Sequence, residues 1–278
     1  MNQLLNDRER KLLWGIGAGM MILAFTTIYP IFFTFVTSLK STREFIRFGF
    51  SLPRAPTFEK YVTAWNTIQL DSYFFNSTVT TILGVTLVLA VSSMAGYALA
   101  HLNFRFRRAI FYLLLTGLMI PVQVIMVPLF RVILELGMLN SRIGLGILYG
   151  AFFSPFGVYL MTSYYSSIPS ELTEAARVDG ASPWQIYRMI MLPLGRPALI
   201  TLGILTTLHC WNDILLSLLV LQDNRTLMVG IASLRGEYGA DIPLIAACVV
   251  IGAAPVIAVF LIFQRKILSG ITVGSVKG

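Results

Sequence analysis

Long apolar runs, free of acidic and basic residues, recur along the 278-residue chain and decide its class. Five of these runs exceed the 20 or so residues that an α-helix needs to cross a bilayer. A sixth run is interrupted only by His209 and Asp213. None of them alternates between polar and apolar residues, as the strands of a membrane barrel do. The pattern predicts an all-α membrane protein with six transmembrane helices, at about residues 12–39, 73–100, 109–131, 143–165, 197–221 and 242–264.

Composition supports a membrane protein and excludes several other classes. Hydrophobic residues make up 56% of the chain and charged residues 12%, with a mean hydropathy of +0.76. Soluble domains carry roughly 25% charged residues. The net charge of +8 is not concentrated in a dense basic run, so we expect no nucleic-acid partner. Cys210 and Cys248 lie inside apolar runs, which predicts neither a disulfide framework nor a metal site.

The distribution of basic residues suggests the orientation, because cytoplasmic loops carry an excess of Lys and Arg. Six spans place both ends of the chain on one side. Twelve of the 21 Lys and Arg residues fall in 1–11, 101–108, 166–196 and 265–278, which we assign to the cytoplasm. Five of the other nine lie in segment 40–71, whose prolines and aromatic residues predict a folded loop on the outer surface.

A polar insert, Glu171 to Pro193, separates the fourth and fifth predicted spans. Ser170 is predicted to cap a first short helix, and Gly180 to end it. The sequence Ser182-Pro183-Trp184-Gln185 has the form of a capping box and predicts the start of a second helix. Residues 166–196 therefore predict a cytoplasmic loop of two short helices joined by a glycine.

Helices this short are marginal on their own in water, so the insert needs a packing partner. Ala175, Ala176 and Ala181 permit the close approach of another surface, and Glu174 can pair with a basic group. Trp184, Tyr187 and Ile190 are expected to form an apolar flank. On these residues alone, a plain loop that rests on its own membrane domain is an equally good interpretation.

The insert is similar to the EAA loop of the permease subunits of bacterial ABC importers. That pattern reads E-A-A, three residues, G, nine residues and I-x-L-P, and this chain carries Glu174-Ala175-Ala176, Gly180 and Ile190 to Pro193 at the same spacing. Other stretches resemble the carbohydrate branch of the family, and its MalG-like half in particular. They are Val91–Ala100, Gly117–Pro121, Trp211–Asp213 and Gly270–Gly278.

The resemblance implies a role for the loop and a set of partners. In that family the loop forms coupling helices that sit in a cleft of a cytoplasmic ATPase dimer, which holds the ATP and Mg²⁺, and the permease carries no cofactor and is not an enzyme. A second homologous permease and an external solute-binding protein complete such an inner-membrane complex. The residues that the resemblance assigns to ATPase docking are Glu174, Ala175, Ala176, Gly180, Ala181, Ile190, Leu192 and Pro193.

The resemblance also implies the cargo, a sugar or oligosaccharide, although the same architecture can import glycerol phosphate or another small polar solute. Polar residues inside spans are candidates for the pathway because they are costly in lipid. They are Asn76, Gln123, His209, Asn212 and Asp213. Asp213 lies roughly 24 Å along a helix from Pro197, near the outer interface, which favours a structural or gate-supporting role.

Two other classes of protein are disfavoured. A membrane-embedded enzyme needs grouped acids, histidines or cysteines, and the spans offer only His209 and Asp213. A secondary transporter usually needs charged coupling residues near the midplane.

Glycines 15, 17 and 19 are expected to support close helix packing, and Pro121 is expected to kink or break its helix.

Overall fold

The computed structural model describes residues 7–66, 68–239 and 241–275, and this part of the chain contains helices and no strand. The predicted all-α class is confirmed. In chain order the helices are α1 (Asp7–Ser38), α2 (Thr42–Phe48), α3 (Glu59–Asn66), α4 (Leu70–His101), α5 (Arg107–Gly117), α6 (Val122–Glu135), α7 (Arg142–Ser166), α8 (Glu171–Val178), α9 (Pro183–Leu194), α10 (Arg196–Asn212), α11 (Leu215–Val220), α12 (Leu227–Glu237) and α13 (Ile242–Ser275).

Four of these helices are long and apolar enough to cross a membrane, and two bent pairs bring the number to as many as six. The four contain the segments Leu13–Ser38, Leu70–His101, Arg142–Ser166 and Ile242–Phe263. The bent pairs are α5 with α6, at 103°, and α9 with α10, at 72°.

The span predicted at 109–131 is not one continuous helix. It breaks after Gly117 and resumes at Val122, and Pro121 precedes the new helix in an extended conformation with a ψ of 135°. Proline has no N–H to donate and disfavours helical geometry in the residue before it. The fifth predicted span is likewise interrupted, because α10 ends at Asn212 and α11 begins only at Leu215.

The chain divides into two units, Met1–Leu70 with Ser233–Ala253, and Asp71–Ala232 with Ala254–Gly278. In the first unit, segment 40–71 contains helices α2 and α3. The Lys60 ammonium lies 2.6 Å from the Asp241 carboxylate, and the Thr42 hydroxyl donates to the same carboxylate at 3.0 Å. These contacts hold segment 40–71 against the start of α13.

In the second unit, α4 and α7 pack closely through glycines. A Cβ added to Gly96 would lie 2.6 Å from the Cβ of Met161, and one added to Gly84 would lie 2.7 Å from that of Tyr149. Small residues let two helix backbones approach in a membrane, where packing rather than the hydrophobic effect drives helix association.

The glycines of the first span make no close contact within this chain. Within the part of the chain that the structure describes, no heavy atom lies within 4 Å of a Cβ built on Gly15, Gly17 or Gly19. Only 6% of the apolar stretch of α1 is buried in this chain, so the expected close packing of these glycines stays a prediction for contacts with another subunit.

Candidate coupling segment and pathway residues

Residues 166–196, the coupling segment, hold two helices joined by a tight left-handed turn. Helix α8 ends where Gly180 adopts a φ of +82°. The Ala181 N–H bonds to the Ala176 carbonyl at 2.9 Å, and the Gly180 N–H bonds to the Arg177 carbonyl at 3.0 Å. This is a Schellman turn, in which glycine takes the left-handed position at no steric cost. The predicted terminator at Gly180 is therefore present in the structure.

The two predicted serine caps have different outcomes. Ser182 is extended, its Oγ accepts from the Gln185 N–H at 3.3 Å, and the Gln185 Oε1 accepts from the Ser182 N–H at 2.8 Å. Ser170 makes no side-chain cap, and that prediction is wrong. Its backbone is already helical, at φ −66° and ψ −24°, whereas a capping side chain needs an extended backbone to reach the N–H groups of the first turn.

One face of α9 is buried against the spans of the second unit. Ile186 and Met191 are fully buried and Tyr187 is 7% exposed, in a core shared with α4 and α7. The Tyr187 hydroxyl donates to Ser93 Oγ of α4 at 3.0 Å, and Ser93 Oγ lies 3.0 Å from the Tyr165 hydroxyl of α7. A chain of hydrogen bonds therefore joins the coupling segment to two membrane helices.

Other large apolar side chains of the coupling segment are exposed. Val178 is 87% exposed, Met189 71% and Trp184 58%. The expected flank of Trp184, Tyr187 and Ile190 is thus wrong for Tyr187, which is buried, and for Ile190, which is half-buried. Ile186 and Ile190 lie four residues apart and share the helix face that meets α4 and α7.

The eight residues assigned to ATPase docking fall into two groups in the structure. Those on the surface are Glu174, Ala175, Gly180 and Pro193. Those half-buried against the core of α4, α7 and α9 are Ala176, Ala181, Ile190 and Leu192. The first group is available to another protein, whereas the second group holds the segment on its own membrane helices.

The first helix of the segment is tied to the end of α4. The Arg177 guanidinium donates to the His101 carbonyl at 3.0 Å. The His101 ring donates from Nε2 to the Tyr165 carbonyl at 2.9 Å, since a carbonyl oxygen can only accept. Both helices of the segment are therefore attached to α4 or α7.

The coupling segment joins the next span through a sharp bend. A π-helical turn over Tyr187–Met191 precedes Pro193, and the Gly195 N–H bonds to the Met191 carbonyl at 2.7 Å. A proline inside a helix removes one backbone hydrogen bond and crowds the preceding turn, which the wider π turn accommodates. Gly195 lies at the 72° bend, where an added Cβ would come within 2.7 Å of the Tyr165 ring.

The predicted pathway residue Asn76 is a structural group in this chain. It is 2% exposed, and its Nδ2 donates to the carbonyls of Asn224 and Arg225 at 3.1 and 3.0 Å. Its Oδ1 accepts from Arg142 Nε at 2.6 Å. Asn76 therefore pins the turn after α11 to α4 and α7.

Asp213 caps the helix that follows it. Its carboxylate accepts from the N–H of Ser217 at 2.8 Å and of Leu216 at 3.3 Å, and from the Tyr149 hydroxyl at 3.1 Å. These bonds explain why α10 stops at Asn212 and α11 starts at Leu215, because the carboxylate satisfies the first N–H groups of the new helix. The structural role favoured for Asp213 agrees with this geometry.

His209, Asn212 and Asp213 line one cavity of about 600 Å³ with Val122 of α6 and the rings of Phe152 and Phe153 of α7. His209 Nδ1 donates to the Leu205 carbonyl at 2.7 Å, so its other ring nitrogen is the group left to face a ligand. Gln123 is exposed, next to Val122, in the first turn of α6. The structure thus brings the polar residues of the fifth span together and separates them from Asn76.

The described part of the chain contains no candidate metal-binding site. Within residues 7–66, 68–239 and 241–275, no three His, Cys, Asp or Glu side chains are grouped so that they could hold a metal ion. Cys210 and Cys248 are buried free thiols.

These features define the class of the protein. Apolar membrane helices, a capped polar segment between two of them and a cavity lined by polar and aromatic side chains are features of a transport component. A family model described as "Binding-protein-dependent transport system inner membrane component" matches residues 89–269. The chain belongs to this family and is an inner-membrane transport permease.

Relatives of known name cover nearly the whole chain. The diacetylchitobiose uptake system permease protein NgcG of Streptomyces coelicolor is 35% identical over 94% of this chain and 88% of its own length. The arabinooligosaccharides transport system permease protein AraQ of Bacillus subtilis is 36% identical over 93% of each chain.

The fold is also similar to that of solved structures. A chain of a bacterial ABC transporter involved in the import of the acidic polysaccharide alginate superposes with a TM-score of 0.83, at 24% identity. The match covers 95% of this chain and 99% of that chain. At this identity the likeness concerns the fold.

Proposed function

We propose that this permease forms one half of the translocation pathway of an ABC importer for a sugar or oligosaccharide, and that the coupling segment docks on a cytoplasmic ATPase subunit. The observation that carries the proposal is the two-sided coupling segment. Val178, Trp184 and Met189 are exposed apolar side chains, while Tyr187 is buried and hydrogen-bonded into the spans.

A segment built in this way transmits force. Helix α8 ends in a left-handed glycine turn, helix α9 begins with a capping box, and both are attached to α4 by side-chain hydrogen bonds. When a docked ATPase binds ATP and closes, the segment moves with it, and the motion reaches the spans because packed cores shift between discrete arrangements rather than stretch. In this proposal the ATP and Mg²⁺ belong to the ATPase dimer.

The proposal fixes the orientation. The coupling segment faces the cytoplasm, and both ends of the chain lie on the same side. The excess of Lys and Arg in the segments assigned to the cytoplasm supports this orientation. An external solute-binding protein then delivers cargo to the opposite face.

The cavity at the end of α10 suits a sugar better than an ion. His209 and Asn212 offer hydrogen-bonding groups, and the Phe152 and Phe153 rings offer flat apolar surface, the combination that small-molecule sites use. A second homologous permease supplies the other half of the pathway. The names of NgcG and AraQ support an oligosaccharide as cargo.

Site-directed crosslinking tests the docking. Val178→Cys and Met189→Cys, in the complex purified from its native membrane, are expected to crosslink to the ATPase subunit. Val62→Cys is the matched control, because Val62 is also an exposed apolar residue, at 58%, and lies in α3 of segment 40–71. Crosslinks from position 62 but none from 178 or 189 would reverse the proposed orientation.

A separate experiment tests the cargo. The melting temperature of the purified solute-binding protein is measured with arabino-oligosaccharides, diacetylchitobiose and glycerol 3-phosphate. We expect an oligosaccharide to raise it. If only glycerol 3-phosphate raises the melting temperature, the protein is still an importer permease, but its cargo is glycerol phosphate and not a sugar.

A further inference from the structure

The loop that follows the first span carries far more positive charge than a translocated loop usually does. Residues 40–57, called here the anchor loop, contain four basic residues and one acidic residue. The loop closes on the end of α1, because the Thr57 N–H bonds to the Leu39 carbonyl at 2.9 Å. It is therefore a compact element fixed where the span leaves the bilayer.

One of the four cations has an internal role. Lys40 is fully buried, and its ammonium donates to the carbonyls of Phe48 and Gly49, at 3.0 and 2.7 Å. It thus satisfies carbonyls at the carboxyl end of α2. Burial lowers the pKa of Lys40, and the Glu44 carboxylate partly opposes that shift. The remaining three, Arg43, Arg47 and Arg54, are exposed.

The same loop exposes large apolar side chains at its tip. Phe50 is 88% exposed, Ile46 75% and Leu52 66%. The Arg54 guanidinium lies 3.9 Å from the centre of the Phe48 ring. Aromatic and aliphatic side chains mixed with arginines are typical of elements that lie in the headgroup region of a membrane.

The contact between Phe50 and α1 places the Phe50 ring beside the last turns of that helix. Its ring stacks on that of Phe33, with centroids 5.5 Å apart, and Phe33 continues a row of aromatic rings formed with Tyr29 and Phe25. Phe33 lies five residues before the end of the span at Ser38, which is about 7.5 Å along the helix axis. Interfacial apolar groups bury ~5–10 Å into the headgroup and acyl boundary.

We propose that the anchor loop is a lipid-binding element, which inserts Phe50 and Leu52 into the leaflet at the carboxyl end of α1 and binds anionic phospholipid headgroups through Arg43, Arg47 and Arg54. A protein partner is the other occupant that an exposed apolar surface suggests. The stacking of Phe50 on Phe33 favours lipid over the external solute-binding protein, because a protein docked from the water side does not reach a ring on the side of the span.

The test places a bimane fluorophore on Phe50→Cys in the complex reconstituted into vesicles of phosphatidylcholine with phosphatidylglycerol. Both native thiols are buried, so the introduced cysteine reacts selectively. We expect quenching by doxyl-labelled lipid and little quenching by iodide. Leu52→Cys is a second probe in case the first variant fails to fold, and Glu59→Cys, in the first turn of α3, is the water-exposed control.

Headgroup preference is measured with the same probe. We expect doxyl-phosphatidylglycerol to quench more than doxyl-phosphatidylcholine, and the combined variant R43Q/R47Q/R54Q to reduce that preference by about fivefold per arginine removed. Arg188→Gln, an exposed arginine of the coupling segment, is the control and should leave it unchanged.

Two outcomes overturn the proposal. In the first, iodide quenches the fluorophore at positions 50 and 52 and doxyl-labelled lipid does not. If adding the solute-binding protein then protects these positions from iodide, the surface belongs to that protein. In the second, the two lipids quench equally in the chain with all three arginines, which would remove the anionic specificity.

Discussion

Replacement of Gly180 tests whether the turn of the coupling segment acts through its backbone conformation. Gly180 has a φ of +82°, and nothing lies within 4 Å of a Cβ built on it. A larger residue therefore meets no steric obstacle in the described chain, and its cost is conformational alone. Gly180→Val should raise that cost most, because a β-branched side chain is least tolerant of a left-handed backbone.

The magnitude follows from that geometry. A left-handed conformation costs an ordinary L-residue roughly 1–2 kcal/mol, whereas asparagine and aspartate adopt it more readily. One or two kcal/mol changes an equilibrium by a factor of about 5–30. We expect Gly180→Val to shift the equilibrium between the closed and the open turn toward the open form by that factor, with loss of the bond from the Ala181 N–H to the Ala176 carbonyl. Gly180→Asn should retain both the turn and the bond.

The assay is sugar uptake by the reconstituted complex, together with the ATPase activity that the loaded solute-binding protein stimulates. Gly180→Val should lower both while the amount of permease in the membrane stays normal, and Gly180→Asn should stay near wild type. Aspartate tolerates a left-handed backbone about as well as asparagine does. We expect Gly180→Asp to lose transport nevertheless, and the difference from Gly180→Asn then measures the effect of a negative charge at the docking surface. Equal activity of the Val and Asn variants would refute the conformational argument.

Three further substitutions test the contacts inside the second unit. Tyr187→Phe removes the hydrogen bond to Ser93. It should lower the free energy of unfolding by about 0.5–1.5 kcal/mol and reduce the transport obtained per ATP hydrolysed. The control, Tyr164→Phe, loses only an exposed hydrogen bond to the Leu194 carbonyl. Gly195→Ala places a methyl 2.7 Å from the Tyr165 ring and should destabilise the fold by about 1–3 kcal/mol through overpacking, seen as a lower melting temperature, unlike Gly17→Ala in open space. Asp213→Ala should destabilise the start of α11 by ~0.5–2 kcal/mol, seen as faster amide exchange at Leu216 and Ser217, and unchanged exchange there would contradict the capping role.

Local signals in the sequence predicted much of the fold and of the coupling segment. The apolar runs were long enough to identify spans without tertiary information, because a helix in lipid must satisfy its own backbone. Ser182 with Gln185 and the glycine at 180 identified a cap and a turn, since both depend on bonds between residues a few positions apart.

Other predictions failed where a distant part of the chain decides the outcome. Tyr187 was expected on an exposed apolar flank with Trp184 and Ile190, yet α4 and α7 bury it, and its hydroxyl bonds to Ser93 of α4. The sequence also did not identify the partners of Asn76, whose side-chain amide donates to the carbonyls of Asn224 and Arg225. No spacing in the sequence links residues that far apart.

The sequence by itself determined that this chain is a multi-span helical permease with a capped polar segment before the fifth span, because apolar length, caps and the spacing from Glu174 to Pro193 are local properties. Only the tertiary structure decided which side of each helix meets another helix. It buried Ile186, Tyr187 and Met191 of the coupling segment against α4 and α7 and left Val178 and Met189 exposed. Side-chain burial depends on contacts between segments far apart in the chain, and no local pattern specifies them.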